Sequence, residues 1–330
     1  VLAGHEVSLA ADGATARLLQ QEFPQLPLHR LPGYGIHYNG NRLSVAILKQ
    51  LPAIFRSIRN ERNWLKELLK QEKFDVVISD NRYGLYSTKV PSIFITHQLT
   101  IQTPFVFLTK LVQRINYKYI NRFTQCWIPD FEGEKNIAGV LSHPEKMPQI
   151  PVYYLGALSR FQKNSTSNVT YKFCFLLSGP EPQRTLLEKL ILKDIHLLKN
   201  NSILLRGLPD SNEMIGAYDN LIVHNHLSGI ELNEVLNNSE YIVCRSGYTS
   251  IMELLALEKK AVLIATPGQT EQEFLAQHLM QQKLAFAVEQ SKFNLLTMVE
   301  QVQHFNYNIQ TLPEENLTQR ILQLVEAIRK

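Results

Sequence analysis

Three cysteines, Cys126, Cys174 and Cys244, are too few and too scattered for a disulfide framework, and no CxxC pair occurs. Each falls in or beside a strand-like run, so they read as core thiols of a protein from a reducing, cytoplasmic compartment. No apolar run approaches the eighteen or so residues of a membrane span, which excludes a spanning helix within the sequence. Low-complexity tracts are absent, as is any Asp-X-Asp pair, the simplest sequence sign of two carboxylates on a divalent ion. His224 and His226 are close neighbours, yet their spacing alone does not make a metal site. The chain opens at "VLAGHEVSLAADG" without an initiator Met, as though an N-terminal segment were missing before Val1, which leaves a signal peptide open.

What is present is an ordinary globular composition in 330 residues, long enough for two cores. Charge is divided unevenly. Residues 1–155 carry eighteen Lys and Arg against twelve Asp and Glu, whereas residues 156–330 carry sixteen against eighteen. The basic half could face lipid headgroups, phosphate or nucleic acid, or be a plain solvated surface.

Short β-rich runs alternate with helical patterns throughout. Strands are expected at "HEVSLAA", "DVVISD", "PSIFITH" and "QCWIP", then at "KFCFLLS", "SILLRG", "LIVHN", "YIVCRS", "AVLIAT" and "LAFAVE". Helices are expected at about 12–22, 43–71 and 104–121, then at about 182–193, 230–237, 248–258, 270–282 and 293–303. Continuous apolar strands alternating with helices predict an α/β fold with parallel sheets covered on both faces. The strands end in Ser178, Arg206, Ser246 and Thr266, at the edge where ligands of open α/β sheets bind. The polar stretch "GALSRFQKNSTSNVT" marks a boundary, giving an N-terminal domain over 1–155 and a C-terminal one over 156–314. Within the first of these, "GHEVSLAADG" reads as a second strand, with no first strand and Gly-rich turn ahead of it. A last helix, 315–330, sets Leu317, Ile321, Leu324, Val325 and Ile328 on one face that must pack on something.

The most informative stretch is "YIVCRSGYTSIMELLALEKKAVLIATPGQTEQEFLA", residues 241–276. A strand ends at Arg245-Ser246-Gly247 and a helix begins at Tyr248-Thr249, so free N–H groups and a partial positive charge face an incoming anion. Gly247 lets a ligand approach the backbone closely. Helical side chains lean toward the N-terminus, which brings Glu253 back over Thr249, opposite the buried face of Ile251, Leu254 and Leu255. A carboxylate there can accept from both hydroxyls of a ribose while the helix end serves phosphate. The plainer alternative is a glutamate that only complements the helix dipole.

These residues carry a resemblance. "VCRSGYTSIMELLAL" followed by "PGQTEQEFLA" resembles the donor-binding core of GT-B glycosyltransferases, and most of all the family 28 C-terminal domain. That family is typified by the N-acetylglucosaminyltransferase of the lipid-linked peptidoglycan precursor, a cell-envelope activity. The resemblance implies two Rossmann-like domains facing across a cleft. An acceptor would bind the first and a nucleotide-sugar, a UDP-sugar, the second, with the last helix crossing back to the first domain.

It further implies a donor site of Ser246, Gly247 and Glu253 for ribose and phosphate, with neighbours Arg245, Tyr248 and Thr249. Gln269, Thr270 and Gln272 would reach sugar and ribose, although Glu273 and Ala276 stand where the family commonly has Gln and Asn. "FLLSGPEPQRTLLEKL" occupies the place of the Gly-rich turn, which adds Ser178, Gly179, Gln183, Arg184 and the strand-end Arg206. "LGALSRF" resembles the family linker and contributes Arg160, and "VHNHLSGIELNEVL" places His226 and Leu227 beside the base.

In the first half, "FITHQ" and "DVVISDNRYG" set His97, Gln98, Asp80, Asn81 and Arg82 at strand ends. Asn81, Arg82 and Gln98 are acceptor-site candidates. The family's usual basic His follows a Gly-rich loop after the first strand, a loop that does not occur in these 330 residues. The resemblance therefore implies that the usual base lies upstream of Val1, and His5 precedes the wrong strand for that role. Within the sequence, His97 and Asp80 stand in as base candidates.

Inversion by direct displacement, without a metal or other cofactor, is the implied reaction. A UDP-sugar 2-epimerase and a non-catalytic nucleotide-sugar binder share the architecture and remain as alternatives. The implied partners are the sugar nucleotide and a glycan, lipid-linked or small-molecule acceptor, with no nucleic acid. In "KLVQRINYKYINR", Lys110, Arg114, Lys118 and Arg122 recur every fourth residue, a stripe suited to an anionic membrane on its inner face or simply to water.

Overall fold

The computed structural model describes residues 3–33, 43–101, 106–164, 168–213, 215–309, 311–312 and 317–329. In the second half, β7 (Tyr171–Leu176), β8 (Ser202–Leu205), β9 (Leu221–His224), β10 (Ser239–Cys244), β11 (Lys260–Leu263) and β12 (Ala285–Ala287) form one parallel sheet. Its order is β12-β11-β10-β7-β8-β9, so the chain winds outward from β7 in one direction and then, from β10, in the other. The reversal lies between β7 and β10, where helices leave on opposite faces and a crevice opens at the carboxyl ends of the strands.

Apolar runs explain the burial. All four residues of β8 are buried, as are five of the six in β10. One cluster joins Cys174, Ile242, Cys244, Ile251 and Leu254, and a second joins Phe173, Phe175, Val243, Val262 and Leu187. These are alternating faces of the same strands, each covered by helices. The helices are α4 (Gln183–Asp194), α5 (Gly229–Asn237), α6 (Tyr248–Ala256), α7 (Thr270–Gln281) and α8 (Leu295–His304). Local chemistry starts two of them: Ser228 and Glu231 close a capping box on α5, and the Asn294 side chain accepts from Thr297 N at α8.

The first half holds β3 (Val77–Asp80), β4 (Ser92–Ile95), β5 (Gln125–Ile128) and β6 (Val152–Tyr154) in one parallel sheet, in that order. A separate parallel pair, β1 (Leu9–Ala11) and β2 (Leu28–Arg30), flanks α1 (Gly13–Glu22). The run "HEVSLAA" is therefore a strand only over its last three residues. Val1 lies outside the described residues, and so does the first strand expected upstream of it. Helices α2 (Leu43–Gln71) and α3 (Val106–Ile120) complete this half. Two strands are not legible in the sequence. "LHR" at β2 is only half-buried and carries His29 and Arg30, and "VYY" at β6 follows Pro151 as a run of three. Each is an outer strand of its sheet, where pairing needs little apolar content.

The halves share packing. Phe131, Ile137, Ala138 and Leu141 belong to the same cluster as Cys174 and Ile251, so residues beyond β5 pack with the second half. Helix α9 (Leu317–Arg329) sets Leu317, Ile321, Leu324, Val325 and Ile328 against Ile93, Trp127 and Leu155 of the first. Arg320 Nε donates to Tyr154 O at 3.1 Å on the same side.

Candidate functional site

The reversal between β7 and β10 determines where the second half presents its loops. After Cys244 the chain passes through Arg245, Ser246 and Gly247 into α6. Gly247 is the N-cap with φ −73°, and it supplies no side chain to the first-turn N–H groups. A Cβ built on it meets no atom within 4 Å, so this face of the helix end is open. Thr249, two residues further, is exposed.

Glu253 stands behind that opening. Its side chain is 12% exposed, and Oε1 accepts from Arg160 Nε at 3.2 Å. Burial raises the Glu253 carboxyl above its usual value, and the Arg160 guanidinium opposes the shift. Arg160 itself is largely in solvent, 4.8 Å over the Phe161 ring. Glu253 is therefore a half-buried carboxylate at the helix end, its charge met in part by a largely exposed cation.

The loop from β11 to α7 is tied to the same helix end. Ser246 Oγ donates to Gln272 O at 2.8 Å, and Gln272 Oε1 accepts from Thr266 N at 2.9 Å. Ser246 and Gln272 thus spend polar atoms on joining two loops. Gln269 is the N-cap of α7 without a side-chain cap bond, and Thr270 is half-buried behind it. Glu273 accepts from Gly268 N at 2.9 Å, and Ala276 is buried in the core. A glutamate and an alanine thus stand where the resemblance would have Gln and Asn, and only Glu273 keeps a polar head in solvent.

At the end of β7, Ser178 and Gly179 are exposed, and Gly179 has φ +101°, a conformation that favours glycine. A Cβ there would lie 3.8 Å from Thr266 Oγ1, a buried hydroxyl with no partner among the described residues. Gln183 Oε1 accepts from Gln290 Nε2 at 2.9 Å. His226 is exposed, while Leu227 is half-buried and packs on the core.

Four arginines and one tyrosine expected at the surface of the site are instead built into the fold. Arg184 donates to Glu181, Glu188 and Arg206 O, and Arg206 grips both oxygens of Glu188 at 2.9 and 3.1 Å. Arg245 is 2% exposed and donates to Ile264 O, Ala265 O and Gln183 O. Burial pushes its guanidinium down to about 10. Arg82 bridges Glu61, Asp12 and Pro32 O. Tyr248 is 3% exposed, and its hydroxyl donates to Pro129 O at 2.7 Å. Each brings a donor-rich or aromatic head into the fold, met by carboxylates and carbonyls both near and distant in sequence, although Arg245 Nε has no partner among the described residues.

On the opposing wall, Asp80 ends β3 and Asn81 follows it, while His97 and Gln98 come just after β4. Burial raises the Asp80 carboxyl and nearby His97 opposes the shift, although Asp80 keeps a solvent-facing side. Asn81 takes φ +53° and its Oδ1 accepts from Thr96 Oγ1 at 3.3 Å. The Gln98 backbone O accepts from Asn116 at 3.3 Å, and its side chain is half-buried. Of the base candidates in the sequence, Asp80 and His97 both lie on this wall, close enough for His97 to act on the Asp80 carboxyl.

Two participants escape a reading of the sequence. Asp130, fully buried, accepts from Phe131 N, Ile137 N, Ala138 N and Ser142 Oγ, so it shapes the loop that meets Tyr248. Glu271 Oε1 lies 2.7 Å from His97 Nε2, across the gap between the halves. An acidic residue in the first turn of a helix reads as a dipole partner, and no local signal links it to a histidine 174 positions away. Among the described residues, no group of three His, Cys, Asp or Glu is placed to hold a metal ion.

Residues 203–329 match the glycosyltransferase family 28 C-terminal domain. A search of curated protein sequences gives no match. Among solved structures, the glycotransferase of kitacinnamycin aligns at TM-score 0.63 and 13% identity, covering 99% of this chain and 88% of that one. MurG of Acinetobacter baumannii aligns at TM-score 0.56 and 15% identity, covering 99% and 92%. SnogD from Streptomyces nogalater aligns at 0.60 and 11%, again covering 99% and 92%. At such identities the likeness establishes the fold, which is GT-B.

Proposed function

We infer that this chain, a GT-B glycosyltransferase carrying a family 28 C-terminal domain, moves a hexose from a UDP-sugar to a hydroxyl acceptor with inversion. The observation that carries the donor half of this reading is Glu253 beside the open end of α6. It is a half-buried carboxylate whose charge is met only in part by Arg160, itself in solvent. A ribose brings two hydroxyl donors to such a group, and the diphosphate would lie at the N–H groups after Gly247. Released from Glu253, Arg160 becomes a cation for the diphosphate beside the helix end.

The second half would thus bind the donor and the first half the acceptor. In the reaction, the acceptor oxygen attacks the anomeric carbon from the face opposite the diphosphate. The bond from that carbon to the diphosphate oxygen breaks with its electron pair, and the hydroxyl proton passes to a base on the opposing wall. His97 and Asp80 are the titratable side chains there. Charge growing on the diphosphate would be met by the α6 helix end and Arg160, and no step requires a metal.

On α3, Lys110, Arg114 and Lys118 are exposed beside Leu111, which is 53% exposed. That surface supports contact with an anionic bilayer. Arg122 lies instead 4.6 Å over Tyr119 and 5.4 Å over Tyr86.

Incubation with UDP-sugars tests the reading. UDP released only when a hydroxyl acceptor is present supports transfer. Inversion at sugar C2 would make the chain an epimerase, and tight binding without turnover would make it a sensor. Replacement of Glu253 by Ala should weaken UDP binding by about 1.5–3 kcal/mol, and unchanged affinity in calorimetry removes Glu253 from the donor site.

A further inference from the structure

His97 and Glu271 belong to opposite halves of the chain, and the histidine ring is held in two independent ways. Glu271 Oε1 stands 2.7 Å from Nε2 of the imidazole, within hydrogen-bond distance. Tyr248 stacks on the ring face, with centroids 4.1 Å apart and planes inclined by 10°. Tyr248 is itself fixed by its hydrogen bond to Pro129 O. A stack sets the plane of a ring but leaves rotation within that plane free, and a charge-assisted hydrogen bond to one nitrogen removes that freedom. The pair is not sealed away: the side chains are 21% and 32% exposed.

Both supports come from the helices that frame the donor opening. Tyr248 directly follows Gly247 as the first residue of α6, and Glu271 follows Gln269 and Thr270 in the first turn of α7. Ser246 and Gln272 bind these two helix starts to each other. The charged and titratable groups facing His97 are Glu271 from α7, Tyr248 from α6 and Asp80 from β3.

We propose that Glu271 is a positioning residue for His97 in glycosyl transfer, holding the imidazole proton on Nε2 so that Nδ1 is left to accept the proton of the attacking hydroxyl. This rests on the transferase reading above. An ionised carboxylate only accepts, so Nε2 is the donor in this pair and Nδ1 keeps its lone pair. As the new C–O bond forms and the diphosphate leaves with the old bonding pair, the hydroxyl proton moves to Nδ1. The imidazolium that results faces Glu271, which stabilises it. The base is then complete only when the halves meet, which links the donor-binding helices to deprotonation of the acceptor.

Two measurements test the assignment. In protein carrying ¹⁵N-histidine, at about pH 8 where an ordinary histidine is neutral, His97 should show the Nε2–H tautomer, its resonance identified by its loss in His97→Asn. Glu271→Ala should abolish that preference and Glu271→Asp should restore part of it. With UDP-glucose as donor and glycerol as hydroxyl acceptor, Glu271→Ala should lower kcat for UDP release by about 10–100-fold while UDP affinity stays within about twofold. A wild-type His97 protonated on Nδ1, an unchanged kcat, or equal losses in kcat and UDP affinity would overturn the proposal. Failure of the wild type to bind UDP would instead remove the donor reading, and the tautomer would still report whether Glu271 governs His97.

Discussion

Arg160 Nε and Glu253 Oε1 lie 3.2 Å apart, one side chain 56% exposed and the other 12%. The asymmetry decides what the pair is for. A surface ion pair contributes little to stability, because water and side-chain entropy offset most of the attraction. Glu253 nevertheless bears the cost of burial, which raises its carboxyl above the usual range.

A group whose folded value is raised favours the fold while protonated, and that contribution is lost as pH rises through the folded value. Glu253→Gln should therefore raise the Tm at pH 7, with the gain shrinking as the pH falls toward 4.5, the ordinary glutamate value. The same substitution should weaken UDP binding by about 1.5–3 kcal/mol. Thermal scans at the two pH values and calorimetry check both signs.

Arg160→Ala separates the two partners. Its effect on unfolding should stay below about 1 kcal/mol, whereas UDP affinity should fall several-fold as a diphosphate cation is lost. Urea titration alongside UDP calorimetry distinguishes this from general damage to the fold.

Glu188 presents the opposite case. Burial alone would raise its carboxyl, but hydrogen bonds from Arg206 and Arg184 reverse the shift and hold it below the ordinary value. The stability this provides is complete above the unfolded value near 4.5 and is lost as pH falls through the lower folded value. Glu188→Ala leaves two arginines, each under 7% exposed by side chain, without their shared anion. It should cost about 3–5 kcal/mol. Replacing Arg184, Glu188 and Arg206 together by apolar residues of similar volume should cost less than the single change. Urea unfolding of both variants measures the difference.

Gly139 reports on the contact between halves. It has φ +54°, and a Cβ there would lie 2.8 Å from the His278 ring of α7. Gly133, at φ +83°, has nothing within 4 Å of the same atom. Both alanine variants carry a backbone cost of about 1–2 kcal/mol, and Gly139→Ala should exceed Gly133→Ala because the histidine must also move. Equal Tm losses would mean that the ring gives way freely.

The stripe on α3 gives the last expectation. Vesicles with anionic lipid should carry the protein upward in flotation, and neutral vesicles should not. Replacing Lys110, Arg114 and Lys118 by Glu should abolish flotation, since each basic residue near such a surface contributes about 1 kcal/mol. High salt should have the same effect by screening.

The sequence alone determined the local events. Apolar runs such as "YIVC" and "SILL" can be satisfied only by sheets covered on both faces, so a parallel α/β fold is legible without coordinates. The turn Arg245-Ser246-Gly247 before an amphipathic helix marks a helix start, because both features lie within a few residues of each other. Tertiary structure alone decided which charged heads reach the site. "PQRTLLEKL" gives Arg184 and Glu188 as helical neighbours, but Arg206 joins them only when β8 lies beside β7. The union of His97 with Glu271 and Tyr248 likewise depends on two halves meeting across a gap. Periodicity records which face of an element leaves water; it does not record the partner that face will meet, because that partner is set by packing between segments far apart in the chain.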